Sequence, residues 1–271
     1  MSTIPEFNFI QCRVHQGVGE LILDRVEKHN AFNNAMIAEM LQALHYLSNA
    51  QDCQLLMLKA KGKNFSAGAD LGWMRQQANM NFEQNLNDAK QLAELMSMLD
   101  DFPKPTLALV QGAVFGGALG LICCCDVAIA TSGTRFCLSE VKLGLIPAVI
   151  SPYVIRAMGA RNARRYMLTA EVFSSDTAQK LQVIHEVNDS LDLAAVPIMT
   201  ALKNNSPQAM AWVKTLVKHL EDGKINQATH DYTSERIARI RVSKEGQEGL
   251  NAFFDKRTPD WKVGTDPQGN P

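Results

Sequence analysis

A run of twenty residues without a charged side chain, residues 106–125, constrains the fold more than any other part of this chain. Its length would suffice to cross a bilayer. It contains Gln111 and four glycines, however, and its first half, residues 107–110, has the pattern of a buried strand. A buried strand, a glycine turn and a buried helix explain the run, so we predict no membrane segment.

The composition is typical of a globular protein and excludes several other classes. Of 271 residues, 46% are hydrophobic and 20% are charged, and the net charge is -1. The chain is therefore neither disordered nor fibrous in character. It has no excess of basic residues for wrapping nucleic acid, so we expect no nucleic-acid partner.

The cysteines indicate a reducing compartment rather than a disulfide framework or a metal site. Adjacent side chains point in different directions, so Cys123, Cys124 and Cys125 cannot jointly face one metal ion, and no CxxC or HxxxH pair accompanies them. We predict that the cysteines are buried thiols: Cys12, Cys53, Cys123, Cys124, Cys125 and Cys137. Residues 1–9 lack a basic region followed by an apolar core, so we expect no secretory signal and a cytoplasmic protein.

Hydrophobic periodicity predicts an α/β protein in which strands alternate with helices. Residues 9–14 and 18–23 read as an antiparallel hairpin, and apolar positions at three- and four-residue steps from Asn33 predict a helix. Further strands are predicted at 55–58, 107–110, 127–130 and 136–138, with helices at 81–99, 155–169, 178–180, 207–220 and 227–242. We predict a core at residues 1–200 and a helical region at 201–271 that packs on it or on neighbouring subunits.

Two glycine turns carry the first chemical signal. Residues 66–70 and the pair Gly116 and Gly117 each follow a predicted strand and precede a helix, where backbone N–H groups lack partners and suit an anion. Two fixed N–H donors would stabilise a thioester enolate in the transition state. Taken singly, neither turn is specific, and each is more typical of tight turns and close packing.

Five ordered motifs resemble the crotonase, or enoyl-CoA hydratase/isomerase, superfamily over nearly the full chain. They lie at residues 23–33, 64–71, 104–117, 139–147 and 248–257. The resemblance implies a crotonase-like β-β-α spiral core, trailing helices that associate subunits into homotrimers or homohexamers, and an acyl-CoA substrate. No cofactor is implied, because coenzyme A is part of the substrate, and no metal is expected.

The same resemblance assigns site residues. The oxyanion donors would be the backbone N–H groups of Ala69 and Gly117. Coenzyme A would be bound by residues of the early loops and the C-terminal signature: Lys28, Ala31, Ala67, Asp70, Leu71, Phe253 and Lys256. For the two lysines, a solvated surface position explains the sequence equally well.

Glu140 is the candidate acid/base group. Hydration needs a group that places water at the β-carbon and moves a proton, and a carboxylate beside apolar neighbours can have its pKa raised toward neutrality. The alternative is an exposed glutamate before a turn. The family's hydratases carry a second glutamate three residues after the oxyanion glycine, where this chain has Gly120. A glutamate restored there should rescue hydration if only a carboxylate is missing, and should fail if the site is built around glycine.

The amino-acid sequences at residues 66–74 and 139–153 resemble those of hydratases that act on branched glutaconyl-CoA thioesters. The resemblance implies 3-methylglutaconyl-CoA of leucine breakdown as substrate, or isohexenylglutaconyl-CoA of acyclic terpene breakdown. Both carry a distal carboxylate, which Arg75, Lys142 or Arg156 could steer. Pocket depth would depend on which apolar and aromatic residues face inward: Trp73, Met74, Met80, Phe82, Ile150 and Tyr153.

Two kinds of alternative function stay open at this point, and a third is not supported. An isomerase or decarboxylase of the family needs fewer acidic groups, and Gly120 could also mark a coenzyme A-binding protein without activity. A serine hydrolase is not supported, because the chain has no Gly-x-Ser-x-Gly elbow and no histidine recognisable as a partner for Ser66, Ser139 or Ser151.

Overall fold

The computed structural model describes residues 6–221 and 223–262. This part of the chain forms nine strands: β1 (Ile10–His15), β2 (Val18–Leu23), β3 (Leu55–Ala60), β4 (Thr106–Val110), β5 (Ala113–Phe115), β6 (Val127–Ala130), β7 (Arg135–Cys137), β8 (Phe173–Ser174) and β9 (Glu186–Val187). It also forms ten α-helices: α1 (Asn34–Asn49), α2 (Leu71–Gln77), α3 (Phe82–Asp100), α4 (Gly117–Cys124), α5 (Ser151–Thr169), α6 (Ser175–Lys180), α7 (Leu191–Asn204), α8 (Pro207–His219), α9 (Gln227–Arg241) and α10 (Lys244–Phe254). The predicted α/β class is confirmed.

The strands form two sheets. The larger has the order β1-β2-β3-β4-β6-β9, and the smaller has the order β5-β7-β8. Strands β1 and β2 pair in antiparallel fashion, which confirms the predicted hairpin, and the other neighbours in the large sheet are parallel. Strands β5 and β7 are parallel and therefore end at the same edge. That edge carries the candidate site.

The uncharged run at 106–125 folds as predicted into a strand, a turn and a helix. Strand β4 is buried throughout, and α4 buries six of its residues. The structure adds the short strand β5 between them. In the described part of the chain, no helix combines the length and the apolar character that a membrane crossing needs.

The described chain divides into two compact units. One contains residues 6–102 with Thr106–Val196, and the other contains Pro103–Pro105 with the described residues from Pro197 onward. The division falls inside α7. The predicted ranges 1–200 and 201–271 stay predictions, and their outer ends lie outside the described residues. Helices α8 and α9 match the two predicted C-terminal helices, and Pro207 opens α8 as expected.

Candidate active site

The two glycine turns are joined directly by backbone hydrogen bonds. The Ser66 N–H donates to the Ala113 carbonyl at 3.0 Å, and the Phe115 N–H donates to the Ser66 carbonyl at 3.1 Å. Gly68 has a φ of 97°, and a Cβ there would lie 3.2 Å from the Phe115 carbonyl oxygen. Since β5 leads straight into Gly116, this pairing brings the turn at 66–70 beside the second turn.

Both candidate oxyanion donors are left available by this arrangement. Phe32 bonds to Gly68 and Asp70, the neighbours of Ala69, so the Ala69 N–H points away from that contact. Gly117 is the first residue of α4, where an N–H has no partner within the helix. Neither group donates a hydrogen bond to another residue of the described chain. The two sequence-predicted donors therefore lie on joined turns.

Glu140 reaches the same place from the neighbouring strand. Strand β7 ends at Cys137, whose carbonyl accepts from the Gly116 N–H at 2.9 Å, and a short 3-10 turn begins at Glu140 three residues later. A Cβ on Gly116 would lie 3.1 Å from Oε1 of Glu140. Gly116 is thus required both by its φ of 54° and by the closeness of this carboxylate.

The Glu140 carboxylate is half-buried and incompletely bonded. Its Oε2 is buried and has no hydrogen-bond partner within the described chain. Loss of solvent raises the pKa of the carboxyl above its ordinary value of 4.5. The expected burial is present, and a carboxylate with a free oxygen and a raised pKa suits proton transfer.

Position 120 has no room for a side chain. Gly120 is buried in α4, and a Cβ added there would lie 2.4 Å from Cγ2 and 2.7 Å from Cβ of Ile150. The sulfur of Met96 would be 3.2 Å away. Ile150, only 2% exposed, occupies the space that a second carboxylate would need. Of the two expectations for a restored glutamate, the structure favours failure.

The first loop is fastened to the second by buried polar side chains. Asn30 is 1% exposed and donates to the carbonyls of Lys61 and Asn64, each at 2.9 Å. Arg25 forms a 2.9 Å ion pair with Asp70, and the Ala67 N–H donates to the His29 carbonyl at 3.0 Å. These contacts join the two loops, residues 23–33 and 64–71, into one continuous surface, which we call the rim.

The candidate coenzyme A residues differ in exposure. On the rim, Lys28 and Leu71 are exposed, Ala67 is half-buried and Ala31 is buried. The carboxylate of Asp70 is occupied by the N–H groups of Gly72 and Trp73 and by Arg25, which leaves its backbone as the group open to a ligand. Phe253 and Lys256 are exposed residues of the second unit, in α10 and just after it.

The three basic residues that could attract a substrate carboxylate differ in their contacts and exposure. Arg156 pairs with Asp100 and lies over the ring of Tyr153, so its charge is already compensated. Arg75 and Lys142 are exposed, and Lys142 shares the short turn with Glu140. Among the candidate pocket residues, Trp73 is buried and donates to Asp88, while Phe82 is exposed.

No competing chemistry is assembled in the described residues. Ser66 is buried and accepts from the Gly68 N–H. No serine hydroxyl of the described chain is hydrogen-bonded to a histidine ring; the Ser48 hydroxyl donates to the backbone carbonyl of His45. No group of three or more metal-ligating side chains comes together in the same part of the chain. The cysteines form no disulfide among these residues. Four of them are buried as predicted, whereas Cys12 and Cys123 are half-buried, which corrects the prediction of buried thiols at these two positions.

Sequence reasoning missed two contributors to the site. Ile150 was recognised as a pocket candidate but not as the residue that fills the space beside Gly120, because that contact depends on how α4 and α5 pack. The pairing of Arg25 with Asp70 joins residues far apart in the chain. Its only sequence signal is an arginine and an aspartate in two loops that share a ligand.

The comparisons with known proteins agree with this geometry. The profile of the enoyl-CoA hydratase/isomerase family matches residues 13–264. The crystal structure of an enoyl-CoA hydratase from Shewanella pealeana ATCC 700345 has a TM-score of 0.94 and 66% identity, covering 94% of this chain and 97% of that chain.

Two curated enzymes are also similar. The enoyl-CoA hydratase AKT6-1 of Alternaria alternata is 34% identical over 88% of this chain and 78% of its own length. The 2,3-dehydroadipyl-CoA hydratase of Escherichia coli strain K12 is 29% identical over 89% and 94% of the two chains. The predicted crotonase fold is therefore confirmed, and the chain belongs to the enoyl-CoA hydratase/isomerase family, which acts on acyl-CoA thioesters.

Proposed function

We propose that this protein is a hydro-lyase that adds water reversibly across the double bond of a branched glutaconyl-type CoA thioester, with 3-methylglutaconyl-CoA as the substrate. The observation that carries the proposal is the Glu140 carboxylate, which lies against the oxyanion turn with a buried, unpartnered oxygen. Burial raises the pKa of the Glu140 carboxyl above its ordinary value, which makes the carboxylate a stronger base toward water and lets the same group return the proton.

The reaction follows from three groups. The thioester oxygen accepts hydrogen bonds from the N–H groups of Ala69 and Gly117, which stabilise negative charge as it develops. Glu140 takes a proton from water while the water oxygen bonds to the β-carbon and the π electrons move to the thioester oxygen. The enolate then collapses, and the same carboxyl returns the proton to the α-carbon.

A single carboxylate leaves the water held from one side only. With Ile150 filling the space beside Gly120, position 120 cannot supply the second contact, and we assign that contact to the substrate. The distal carboxylate of a glutaconyl chain supplies such an acceptor. Lys142 shares the turn with Glu140 and has an exposed ammonium group, so we assign to it the attraction of that carboxylate. The similar Escherichia coli hydratase is likewise named for a dicarboxylic thioester.

Matched thioesters test the substrate. 3-Methylcrotonyl-CoA has the same branched double bond but no distal carboxylate, and isohexenylglutaconyl-CoA keeps the carboxylate while lengthening the branch. We expect kcat/KM to be highest for 3-methylglutaconyl-CoA and at least tenfold lower for the thioester without the carboxylate. Equal rates on the first pair would remove the distal carboxylate from the proposal. Higher rates on the isohexenyl compound would move the substrate to terpene breakdown.

A double-bond isomerase is the second candidate, favoured by the same lone carboxylate. Moving a proton between the α- and γ-carbons needs no held water, so Ile150 would be no obstacle. Product analysis separates the two reactions, since hydration adds 18 mass units and isomerisation adds none. Binding of the thioester without either product would indicate a protein that holds coenzyme A without catalysis.

A further inference from the structure

The Ala69 N–H takes its direction from hydrogen bonds made by its neighbours. The Phe32 N–H donates to the Gly68 carbonyl, and the Asp70 N–H donates to the Phe32 carbonyl, both at 2.8 Å. In a parallel bridge of this kind, the residue between the two bonded neighbours turns its own N–H to the opposite side. The direction of the Ala69 N–H therefore depends on the two hydrogen bonds between Phe32 and the turn at residues 66–70.

A single guanidinium nitrogen joins the same two segments beside the bridge. Nη1 of Arg25 donates to the carbonyl of Ala31, the residue before Phe32, at 2.9 Å. It also lies 2.9 Å from Oδ2 of Asp70, the residue after Ala69. The Arg25 and Asp70 side chains are only 11% and 14% exposed, so water screens this pair weakly.

The second oxygen of Asp70 is committed as well. Oδ1 accepts from the N–H groups of Gly72 and Trp73, at 2.7 and 3.0 Å, and so caps α2. The bond from Trp73, followed by the Arg25 cation, holds the pKa of Asp70 below its ordinary value. The carboxylate thus stays charged and is fixed on both oxygens, one toward the first loop and one toward α2.

We propose that Arg25 and Asp70 are positioning residues that hold the Ala69 N–H on the developing oxyanion. This inference rests on the proposed function insofar as Ala69 is taken as an oxyanion donor. The contacts given above join the two side chains to each other and to the backbone of Ala31, Gly72 and Trp73. Their contribution is that the donor is fixed before charge develops, which is the condition under which an oxyanion hole is effective. A displacement of about 1 Å at such a donor can reduce the rate about 10²-fold.

The substitution Asp70→Asn separates this role from helix capping. Asparagine caps a helix as well as aspartate does, but it carries no charge for Arg25. We expect kcat to fall about 10- to 100-fold while KM for the thioester changes less than twofold. The double variant Arg25→Met, Asp70→Asn leaves no buried charge alone and should show a similar loss. Asp189→Asn is the matched control, because Asp189 bonds only to the Ser132 loop among the contacts of the described chain.

A spectroscopic measurement tests the oxyanion site itself. Acetoacetyl-CoA ionises to an enolate that absorbs in the near ultraviolet, and two N–H donors on its oxygen should lower the pKa of that ionisation when the thioester is bound. We expect Asp70→Asn to bind acetoacetyl-CoA as tightly as the unchanged protein does, with an enolisation constant about 10- to 100-fold smaller. The Asp189→Asn control should enolise it like the unchanged protein.

The outcomes separate this inference from the proposed reaction. If the unchanged protein hydrates no thioester yet enolises acetoacetyl-CoA and Asp70→Asn does not, the hydratase proposal fails and the positioning role stands. The positioning role is overturned if Asp70→Asn enolises acetoacetyl-CoA normally, or if it alters only KM. It is also overturned if the unchanged protein binds the probe without promoting enolisation.

Discussion

At the scale of single residues, Glu140 lies in surroundings that oppose its ionisation. Burial raises the pKa of the folded carboxyl above 4.5, so ionisation favours the unfolded chain as the pH rises. The destabilisation is absent below the unfolded pKa and complete above the folded one. Glu140→Gln should therefore lower turnover about 10²- to 10⁴-fold and yet be more stable than the unchanged protein at pH 8.

Urea unfolding at pH 8 and pH 4 measures the stability part of this prediction. The difference between Glu140→Gln and the unchanged protein should shrink at the lower pH. Glu94→Gln, an exposed glutamate in the middle of α3, should show no such difference at either pH. Near-normal turnover in Glu140→Gln would take this carboxylate out of the mechanism.

Gly120 gives a prediction in which packing opposes helix propensity. Alanine inside a helix is favoured over glycine by about 0.5 to 1 kcal/mol, but overpacking a well-filled core costs about 1 to 3 kcal/mol. With Ile150 Cγ2 at 2.4 Å from the added Cβ, the second effect should prevail, so Gly120→Ala is expected to destabilise. Gly133→Ala, where an added Cβ meets nothing within 4 Å, is the control.

A double-mutant cycle assigns the effect to Ile150. Ile150→Ala alone should cost about 2 to 5 kcal/mol because it opens a cavity. Combined with Gly120→Ala, it should cost less than the sum of the two single changes by more than about 0.5 kcal/mol. Additive effects in urea titrations would mean that Ile150 does not limit position 120.

Because Ile150 leaves no space for a side chain at position 120, Gly120→Glu alone should not create hydration of linear enoyl-CoA.

Sequence alone could nominate the candidate site residues that depend on local backbone chemistry. The two glycine turns and the carboxylate of Glu140 are recognisable because each lies at a strand end with a distinctive residue. Ile150 and the Arg25–Asp70 pair are not, since their importance comes from contacts between segments distant in the chain. A lone isoleucine or an arginine in a loop has too many ordinary explanations for sequence alone to single it out.

At the scale of elements, α2 follows the glycine turn at residues 66–70 and is joined to α3 by a buried carboxylate. Asp88, in α3, accepts from Nε1 of Trp73 at 3.2 Å and from Nε2 of Gln77 at 2.5 Å. Replacement by leucine strands the buried indole N–H, which should cost about 1 to 3 kcal/mol in the free energy of unfolding. Asp88→Asn should cost less, because its amide oxygen still accepts one bond. Urea titration measures both, and a leucine variant as stable as the unchanged protein would contradict the prediction.

The same contact explains why sequence periodicity missed this helix. Helix α2 has only seven residues and includes Gly72, so its formation depends on the Asp70 cap and the Asp88 contact. Helix α10 was missed for a related reason. Its glycines lower helix propensity but allow close packing: a Cβ on Gly246 would lie 1.9 Å from the Ile240 carbonyl, and one on Gly249 would lie 2.9 Å from Trp261. Strands such as β2 and β6, whose pattern is local, were predicted with their observed bounds.

At the scale of the whole molecule, the second unit leaves large apolar side chains uncovered in a single chain. Its described residues expose several of them: Val213, Val217, Ile237, Val242, Leu250, Phe253 and Phe254. Exposed large apolar side chains are a feature of protein interfaces when they gather on one surface. Val213 and Val217 are four residues apart and so lie on one face of α8. We propose that copies of this chain associate through this unit; the number of copies, three or six, is what the family resemblance implies.

Sedimentation velocity at micromolar concentration tests this association. The unchanged protein should have a native mass about three or six times the chain mass of 29.9 kDa. The double variant Val213→Lys, Val217→Lys should shift it toward smaller species, because two ammonium groups cannot be buried between apolar surfaces without a large loss of hydration. Thr215→Lys adds a charge to an exposed polar position of the same helix and should leave the mass unchanged. A chain that sediments as a monomer while hydrating its thioester at full rate would show that association is unnecessary for the site.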